Sequence, residues 1–359
     1  MSSIPGKNIS IRAGRRAIQI IRDEGFKPER VRVLSGAAGG PKWIVLYGID
    51  RVLPGLLLDG RKKPLYLAAS SIASWRFAAL AQKDPLGAHE KFREAYFAQQ
   101  YSSRPLPEEV TSESTVIMNR YVTDDAVRHI LSHPVLHFSM FSVLSRHLCA
   151  MENRFALGLG MAGTGIANLL NRRLVGAFFQ RTLFYDGRDV PPFFEMDGFV
   201  THRVPLSNEN FRDALLASGS IPLVMSGVKD IPDAPRGVYR DGGIIDYHLD
   251  IPYGGGDDLV LFPHYTDRII PGWFDKPLKW RKPNSVNMEN VVMVSPSERF
   301  ISNLPYGKIP DRNDFYNFAG DDEGRLKYWN TVKDESKKIG EELVEAVESN
   351  SIKKIIQPL

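Results

Sequence analysis

The feature that most constrains the fold is a short strand-like run that is followed by a turn and a helix-like run, and it occurs twice. The first copy is VRVLSG at residues 31–36, which is β-branched, apolar and followed by a glycine cluster. The second copy is LYLAAS at residues 65–70. Buried strands of a parallel sheet have this composition because both of their faces are covered. Two successive strand–turn–helix units predict an α/β fold.

The runs that follow these strands are typical of helices. PKWIVLYGIDRVL carries Pro41 at its first helical position and is apolar on nearly every side, which predicts one largely buried helix over residues 41–53. SWRFAALAQ repeats the pattern after the second strand. Further strands are predicted where short apolar runs are bounded by Gly, Pro, Asp or Asn: RTLFYD, FVTHRVPL, GVYRDGG, DLVLFPHY and VVMVSPS. ENFRDALLAS predicts a helix between them. We therefore expect a three-layer α/β/α sandwich with a mainly parallel central sheet.

The length of 359 residues suits a single α/β domain that spans the whole chain, 1–359. Within it, residues 86–180 are expected to form a mainly helical insertion or cover, including the apolar run HPVLHFSMFSVLSRHLCA. Residues 320–350 predict a C-terminal amphipathic helix. The uncharged run at 155–171 has 17 residues, fewer than the ~20 that span a bilayer, so we interpret it as a buried or interfacial cover.

Charge and cysteine content exclude several classes of protein. The net charge of +4 is mild and the basic residues form no arm or stripe, which argues against nucleic-acid binding but allows a weak attraction to anionic membrane surfaces. The single cysteine, Cys149, rules out an internal disulfide or a cysteine-based zinc site. The N-terminal residues carry scattered charges and resemble no secretory signal. We expect a cytoplasmic protein, with peripheral membrane contact allowed.

A serine sits at the second strand-to-helix junction, in the sequence ASSIA at residues 69–73. A nucleophile elbow holds its serine on a tight turn between a strand and a helix, with small residues two positions before and after it. Ser71 meets this requirement, although alanine replaces the usual glycine at both flanks. The alternative interpretation is a plain helix N-terminus capped by serine.

The first junction, SGAAGGPK at residues 35–42, is rich in glycine. Its free backbone N–H groups could stabilise the negative oxygen of a tetrahedral intermediate. A phosphate-binding loop is the competing interpretation. The G-x-x-x-x-G-K-[ST] pattern is not met, because Lys42 follows Pro41 and precedes Trp43.

A third junction, YRDGG, places Asp241 on a turn after a short strand. Asp-Gly-Gly alone is also an ordinary turn signal. The order of the three junctions, glycines, then serine, then Asp-Gly-Gly, resembles the patatin-like phospholipase family. ALLASGSIPLVMSGV at residues 214–228 adds a fourth landmark, similar to the family's Ala-Ser-x-x-Ile-Pro segment. The landmarks cover residues 31–250.

This resemblance implies roles for individual residues. Gly39 and Gly40 match the glycines whose N–H groups form the oxyanion hole, and Lys42 matches the basic residue beside them. Ser71 matches the nucleophile, and Asp241 matches the aspartate of a Ser-Asp dyad.

Gly242 and Gly243 complete the Asp-Gly-Gly turn and would support Asp241. The sequence departs from the family pattern at Ala69 and Ala73, where glycine is usual, and at Trp43, where the oxyanion motif usually ends in glycine. The resemblance implies a lipid acyl hydrolase, an esterase or phospholipase of the A type. Such an enzyme cleaves carboxylic esters through an acyl-serine intermediate and needs no cofactor.

Two alternatives remain at the level of function. The alanines at the elbow are compatible with a non-catalytic acyl-binding or interaction protein of the same fold, and the same dyad could transfer the acyl group to an alcohol. The sequence makes no prediction of the oligomeric state.

Histidines could in principle supply a triad or a metal site. His248 and His264 follow the Asp241 turn and could approach the site or be structural. His133 and His137 have metal-like spacing, but Pro134 interrupts the helix that would align them, and no metal is expected.

The sequence GLGMAG at residues 158–163 fits the dinucleotide fingerprint. No strand precedes it and no βαβ unit surrounds it, so we interpret it as packing beside the acyl site.

Overall fold

The computed structural model describes residues 7–102 and 104–359. Within these residues the chain forms an α/β fold with one eleven-stranded, mainly parallel central sheet between layers of helices. The predicted fold class is therefore confirmed. In the same part of the chain, every helix is too short or too polar to cross a membrane.

The elements follow one another from the first strand near the N-terminus to a two-residue strand at the C-terminus. The strands are β1 (Ile9–Ala13), β2 (Val31–Gly36), β3 (Leu65–Ser70), β4 (Leu136–Ser145), β5 (Phe179–Tyr185), β6 (Thr201–Pro205), β7 (Val228–Lys229), β8 (Val238–Asp241), β9 (Leu259–Pro263), β10 (Val291–Pro296) and β11 (Gln357–Pro358). The α-helices are α1 (Arg15–Glu24), α2 (Tyr47–Leu53), α3 (Ile72–Leu80), α4 (Pro85–Ala98), α5 (Pro107–Asn119), α6 (Asp124–Ser132), α7 (Arg154–Leu170), α8 (Phe211–Gly219), α9 (Glu298–Ser302), α10 (Asp314–Asn317), α11 (Asp322–Glu348) and α12 (Ile352–Ile355).

The two strand–turn–helix units recognised in the sequence lie at the centre of the sheet. The strand order is β11-β1-β10-β9-β2-β3-β4-β5-β6, with β8 joined to β4 and β7 to β8. From β10 to β4 the neighbouring strands are parallel. The antiparallel pairs involve β1 with β10, β5 with β4, and the short β7–β8 ribbon on β4.

Strand β4 organises the site because one of its edges carries two strands end to end. Strand β3 pairs with the first part of β4, up to the pair Ser70–Phe141. Strand β8 pairs with the next part of the same edge, beginning at the pair Ser142–Asp241, since β5 occupies the opposite edge. The ends of β3 and β8 therefore meet at adjacent positions of β4.

The central part of the apolar run at residues 133–150, which we expected to be part of a helical cover, instead forms β4 (Leu136–Ser145) in the sheet. All residues of this strand except His137 are buried. A strand buried on both faces loses the alternation of polar and apolar residues, so periodicity cannot distinguish it from a buried helix. The region 86–180 accordingly contains helices α4 to α7 but also strands β4 and β5.

The helix predicted for residues 41–53 is divided in two. A 3₁₀ helix spans Gly40–Leu46 and continues as α2. Short 3₁₀ stretches are common at the N-terminal ends of α-helices. This 3₁₀ helix begins directly after the glycine loop and leads the chain into α2.

The predicted C-terminal helix is present as α11, and its buried face packs closely on α2. A Cβ atom added to Gly340 would lie 2.2 Å from the carbonyl oxygen of Gly48. The Gly48 N–H donates to Ser336 Oγ at 3.0 Å. Glycine at positions 48 and 340 allows the backbones of α2 and α11 to approach this closely.

Two hydrophobic cores lie in the described part of the chain. The large one surrounds the sheet and its helices. The smaller one lies under α7 and contains the buried Cys149, with Leu157, Met161, Ile244 and Ile245 among its members. It connects α7 to the region around the end of β8.

Candidate active site

Ser71 stands alone between β3 and α3, in a backbone conformation that side chains rarely adopt. Its φ is 56° and its ψ is −129°, which costs on the order of 1–3 kcal/mol. The flanking Ala69 and Ala73 are fully buried. A Cβ atom added to Gly36 on the neighbouring strand would lie 2.6 Å from the Ala73 Cβ. Alanine is therefore small enough for the tight turn, because the neighbouring strand supplies a glycine instead.

The elbow serine is hydrogen-bonded to the carboxylate at the end of β8. Ser71 Oγ donates to Asp241 Oδ2 at 2.6 Å, and both residues are buried. The other oxygen, Oδ1, accepts from the Gly243 N–H at 2.7 Å. The structure thus brings together the two residues that the sequence placed 170 positions apart, with the carboxylate oriented by its own turn.

Burial raises the pKa of Asp241 to about 6. Hydrogen bonds from Ser71 and Gly243, and the positive charges of Lys276 and Arg312, act in the opposite direction and stabilise the carboxylate. A carboxylate with a raised pKa is a better proton acceptor than an ordinary aspartate. At neutral pH it is still mostly ionised.

The two glycines after Asp241 are required by close contacts. A Cβ atom on Gly242 would lie 2.2 Å from the Phe141 carbonyl oxygen, and one on Gly243 would lie 2.8 Å from the Ala38 Cβ. The turn is therefore packed between strand β4 and the glycine loop. The Asp-Gly-Gly sequence here is a packed part of the site and not an exposed turn.

The segment 214–228 contacts both members of the pair. Ser218 Oγ accepts from the Ser71 N–H at 3.0 Å and donates to the Phe141 carbonyl at 2.7 Å. The Asp241 N–H donates to the Ser220 carbonyl at 2.9 Å. Because the N–H of Ser71 is already used, it is not free to bind an oxyanion.

Ser71 and Asp241 open into a cavity of about 200 Å³, together with Ala38, Gly39 and Gly40. A Cβ atom on Gly39 would lie 2.6 Å from the Tyr265 ring, and Gly40 has a φ of 56°. Both positions therefore favour glycine. The backbone of the glycine loop can approach a molecule bound beside Ser71 without interference from side chains.

A chain of buried hydrogen bonds holds this loop. The Ile270 N–H lies 2.9 Å from His248 Nδ1, and His248 Nε2 lies 2.7 Å from the Tyr265 hydroxyl. That hydroxyl donates to the Ala38 carbonyl at 2.7 Å. Burial lowers the pKa of His248 well below its usual value and that of His264 to about 3. Neither histidine lines the cavity, so no triad is formed.

Three cationic side chains line the cavity: Lys42, Lys276 and Arg312. Among the described residues, none of the three lies within salt-bridge distance of a carboxylate. Burial lowers the pKa of Lys42, and it lowers that of Lys276 to about 7 with help from the other two charges. The Lys276 Nζ lies 4.1 Å from the centre of the Tyr247 ring. This part of the cavity is suited to an anion.

The sequence indicated Lys42 but not Lys276 or Arg312. Both of these lie outside any motif and on segments far from Ser71 along the chain. Asp311 also lines the cavity, and its carboxylate is 3.5 Å from Lys308. No local pattern could have identified this group.

The remaining wall is apolar and is formed by Ile221, Pro222, Ile244 and Trp273. The first two belong to the segment that holds Ser71 and Asp241. Trp273 begins a short 3₁₀ helix, Trp273–Asp275, that packs against α7. The lining of the cavity therefore combines this apolar wall with the cationic wall formed by Lys42, Lys276 and Arg312, and the Ser71 hydroxyl opens into the same space.

The alternative motifs do not form sites. His133 accepts backbone N–H groups through Nδ1, whereas His137 lies in β4 beside Asp186. The GLGMAG sequence at residues 158–163 lies inside α7 and not at a strand-to-helix junction. Residues 7–102 and 104–359 contain no group of three or more His, Cys, Asp or Glu side chains placed to hold a metal ion.

Comparisons with known proteins give structural likenesses. No family model matches the chain, and no curated protein matches its sequence. The solved structure of human GIVD cytosolic phospholipase A2 matches with a TM-score of 0.39 and 11% identity, over 93% of this chain and 64% of that one. VipD from Legionella pneumophila matches with a TM-score of 0.30 and 11% identity, over 67% of this chain and 51% of that one. This chain spans less than two thirds of either protein.

Proposed function

We propose that this protein is a serine hydrolase that cleaves carboxylic esters of lipids or related acyl compounds. The observation that carries the proposal is the 2.6 Å hydrogen bond from Ser71, on its positive-φ turn, to the buried carboxylate of Asp241. A serine in this position needs an adjacent base to become a nucleophile. Asp241 is that base, without a histidine between them.

The mechanism follows from these contacts. Asp241 accepts the Ser71 proton as Oγ attacks the carbonyl carbon of the ester. The N–H groups of Gly39 and Gly40 stabilise the oxygen that becomes negative. Asp241 then returns the proton to the departing alkoxide, which leaves an acyl-Ser71 intermediate. Water, deprotonated by Asp241, attacks this ester and releases the acid and the free serine.

The substrate we propose carries a negative charge near the ester bond. Lys42, Lys276 and Arg312 face the cavity without carboxylate partners, and an anionic group would neutralise them. The apolar wall of the same cavity suits the acyl group. A phosphate-bearing lipid ester or a similar acyl ester combines the two features.

Replacement of the dyad residues tests the proposal. We expect Ser71→Ala and Asp241→Asn to lower kcat for a short p-nitrophenyl ester by at least about 10³-fold. Ser70→Ala is the matched control, because the neighbouring Ser70 is buried and its hydroxyl makes no hydrogen bond with the described residues. Full activity of the Ser71→Ala protein would contradict the mechanism.

Covalent labelling separates hydrolysis from the alternative functions. A fluorophosphonate should modify the wild-type protein at Ser71 and leave the Ser71→Ala protein unlabelled, whereas a non-catalytic acyl-binding protein would not react. Product analysis with added glycerol identifies acyl transfer, because an acyltransferase forms the glycerol ester in place of the free acid.

A further inference from the structure

Helix α7 is apolar on two opposite faces, and only one of them is covered by the protein. The inward face carries Leu157, Met161 and Thr164, which are buried. The outward face carries large apolar side chains that are more than half exposed: Phe155 (76%), Leu159 (52%), Ile166 (64%), Leu169 (57%) and Leu170 (76%). Steps of three and four residues place these side chains along one side of a helix roughly 25 Å long.

Single exposed apolar residues are normal on protein surfaces, but a continuous row has a different meaning. Here the charged residues along the same stretch of chain are all positive. Residues 153–185 contain no Asp or Glu, and Arg154 and Arg173 are exposed at the two ends of α7. The row therefore lacks the mixed charges that usually border a solvated helix.

The neighbouring segment 276–288 has the same character. It too contains no Asp or Glu, and it exposes Lys279, Trp280 and Lys282. The Trp280 side chain is 67% exposed. We call these residues, together with the exposed row of α7 and Arg154 and Arg173, the α7 surface.

Hydrogen bonds join the two parts of this surface. Arg281 donates to the Asn168 carbonyl at 2.9 Å, and the Asn168 side chain donates to Asp275 at 2.8 Å. The Arg172 guanidinium also donates to Asp275, at 3.2 Å. The C-terminal end of α7 and the segment after Asp275 are therefore held together.

The same contacts connect the α7 surface to the cavity. Asp275 ends the 3₁₀ helix whose first residue, Trp273, forms part of the apolar wall. The next residue, Phe274, lies beside Gly165 of α7, 3.6 Å from where a Cβ atom would be. Lys276, whose side chain belongs to the cationic wall of the cavity, is the residue after Asp275. The 3₁₀ helix Trp273–Asp275 thus connects the α7 surface to the cavity beside Ser71.

We propose that the α7 surface docks on an anionic lipid bilayer. A helix that lies in the membrane interface buries its apolar side at the boundary of the acyl chains, and its basic residues contact anionic head groups. Each exposed Lys or Arg near such a surface contributes about 1 kcal/mol. A second copy of this chain is a poorer occupant, because a symmetric contact would bring positive charges against each other. The proposal does not depend on the chemistry of Ser71.

Vesicle binding by the full chain tests it. We expect the protein to float with vesicles of phosphatidylcholine and phosphatidylglycerol in equal parts, and to bind vesicles of phosphatidylcholine alone much more weakly. Binding should weaken as salt is added, because salt screens the charges. Trp280 should report contact through a change in its fluorescence.

Two sets of variants divide the interaction into its parts. The triple change Phe155→Ser, Ile166→Ser and Leu170→Ser should lower binding to the mixed vesicles at least about tenfold. Arg173→Glu with Lys282→Glu should lower it by a similar factor and leave the weak binding to phosphatidylcholine unchanged. Val116→Ser, on an exposed apolar residue of α5, is the matched control. Circular dichroism checks that each variant is folded.

The possible outcomes separate this proposal from the proposed function. Equal vesicle binding by the triple variant and the control would overturn the docking proposal. It would also be overturned if the wild type bound no vesicles but formed a dimer that the triple variant does not form, since the α7 surface would then be a contact between two copies of the chain. Ser71→Ala should bind vesicles like the wild type. The triple variant should still hydrolyse a short water-soluble ester. If Ser71→Ala keeps esterase activity, the proposed function fails while vesicle binding can still succeed.

Discussion

At the scale of single residues, the buried carboxylate of Asp241 determines both the proposed chemistry and part of the stability. Its pKa of about 6 lies above the unfolded value of about 3.9, so the folded state binds the proton more tightly. The contribution of this protonated carboxyl group to the free energy of unfolding is fully present below pH ~4 and is lost as the pH rises through about 6. At alkaline pH the buried charge lowers stability by up to about 3 kcal/mol.

We therefore expect Asp241→Asn to stabilise the fold at pH 8 by about 1–3 kcal/mol and to give no gain at pH 4. The asparagine side-chain oxygen can still accept the Gly243 N–H, so the turn is retained. Urea unfolding of both proteins at the two pH values measures the difference. The same gain at both values would show that charge burial is not its cause.

The pH dependence of activity should reflect two residues of the cavity. For a neutral ester, kcat/KM should rise with pH through about 6 and then stay level, because Asp241 acts as a base only when ionised. For an anionic ester it should fall again above about 7, where Lys276 loses its charge. Lys42 and Arg312 keep the pKa of Lys276 low, and Asp241 acts in the opposite direction.

Lys276→Met should abolish the alkaline decline with the anionic ester. It should also move the rise at lower pH upwards, since the positive charge of Lys276 lowers the pKa of Asp241. Rate profiles from pH 4 to 9 with one neutral and one anionic substrate measure both effects. Lys279→Met, on the exposed segment nearby, is the control and should leave both profiles unchanged.

At the scale of elements, α7 combines a glycine-rich sequence with a full helical geometry. A Cβ atom on Gly158 would meet no atom within 4 Å, whereas one on Gly160 would lie 2.8 Å from Cys149 Sγ. The first glycine weakens the helix without any packing reason. The second allows the helix to lie against the chain at Cys149.

We expect Gly158→Ala to stabilise the protein by about 0.5–1 kcal/mol, because alanine favours helix. Gly160→Ala should destabilise it by about 1–3 kcal/mol through overpacking. The two substitutions form a matched pair in one helix, and thermal or urea unfolding compares them. Stabilisation by both would mean that the contact at Cys149 relaxes without cost.

At the scale of the whole molecule, α11 closes the fold by packing the end of the chain on its beginning. The contact between Gly340 and Gly48 lies at the centre of this packing, and α2 follows the glycine loop through the 3₁₀ helix Gly40–Leu46. A continuous stretch of chain therefore connects the surface on which α11 packs to the glycine loop of the site.

Gly340→Ala should lower the free energy of unfolding by about 1–3 kcal/mol, because its methyl group would collide with the Gly48 carbonyl. Gly55→Ala, where an added Cβ would have no neighbour within 4 Å, is the control. Urea unfolding gives the stabilities. A Gly340→Ala protein as stable as the wild type would show that the two helices can separate slightly at no cost.

The sequence indicated most strands because their signals are local, whereas Ser71 and Asp241 were implied by the order of four landmarks along residues 31–250. A β-branched run, a glycine after a strand and a serine before a helix are recognisable within ten residues, and VRVLSG and LYLAAS became β2 and β3 as predicted. The roles of Gly39, Gly40, Ser71 and Asp241 stay predictions. In the structure, all four residues line one cavity.

Only the tertiary structure decided what depends on contacts between distant parts of the chain. Strand β4 was not recognised in the sequence, because a long apolar run that is buried on both faces can equally be a helix. In the structure it brings the ends of β3 and β8 together. Lys276 and Arg312 join Ser71 by folding alone. The uncharged run of α7 was interpreted as a buried or interfacial cover, because sequence alone does not distinguish a covered apolar residue from an exposed one. Periodicity and turn signals depend on residues that are neighbours in the sequence. The burial of a side chain, and its distance from residues far away along the chain, depend on the folded structure.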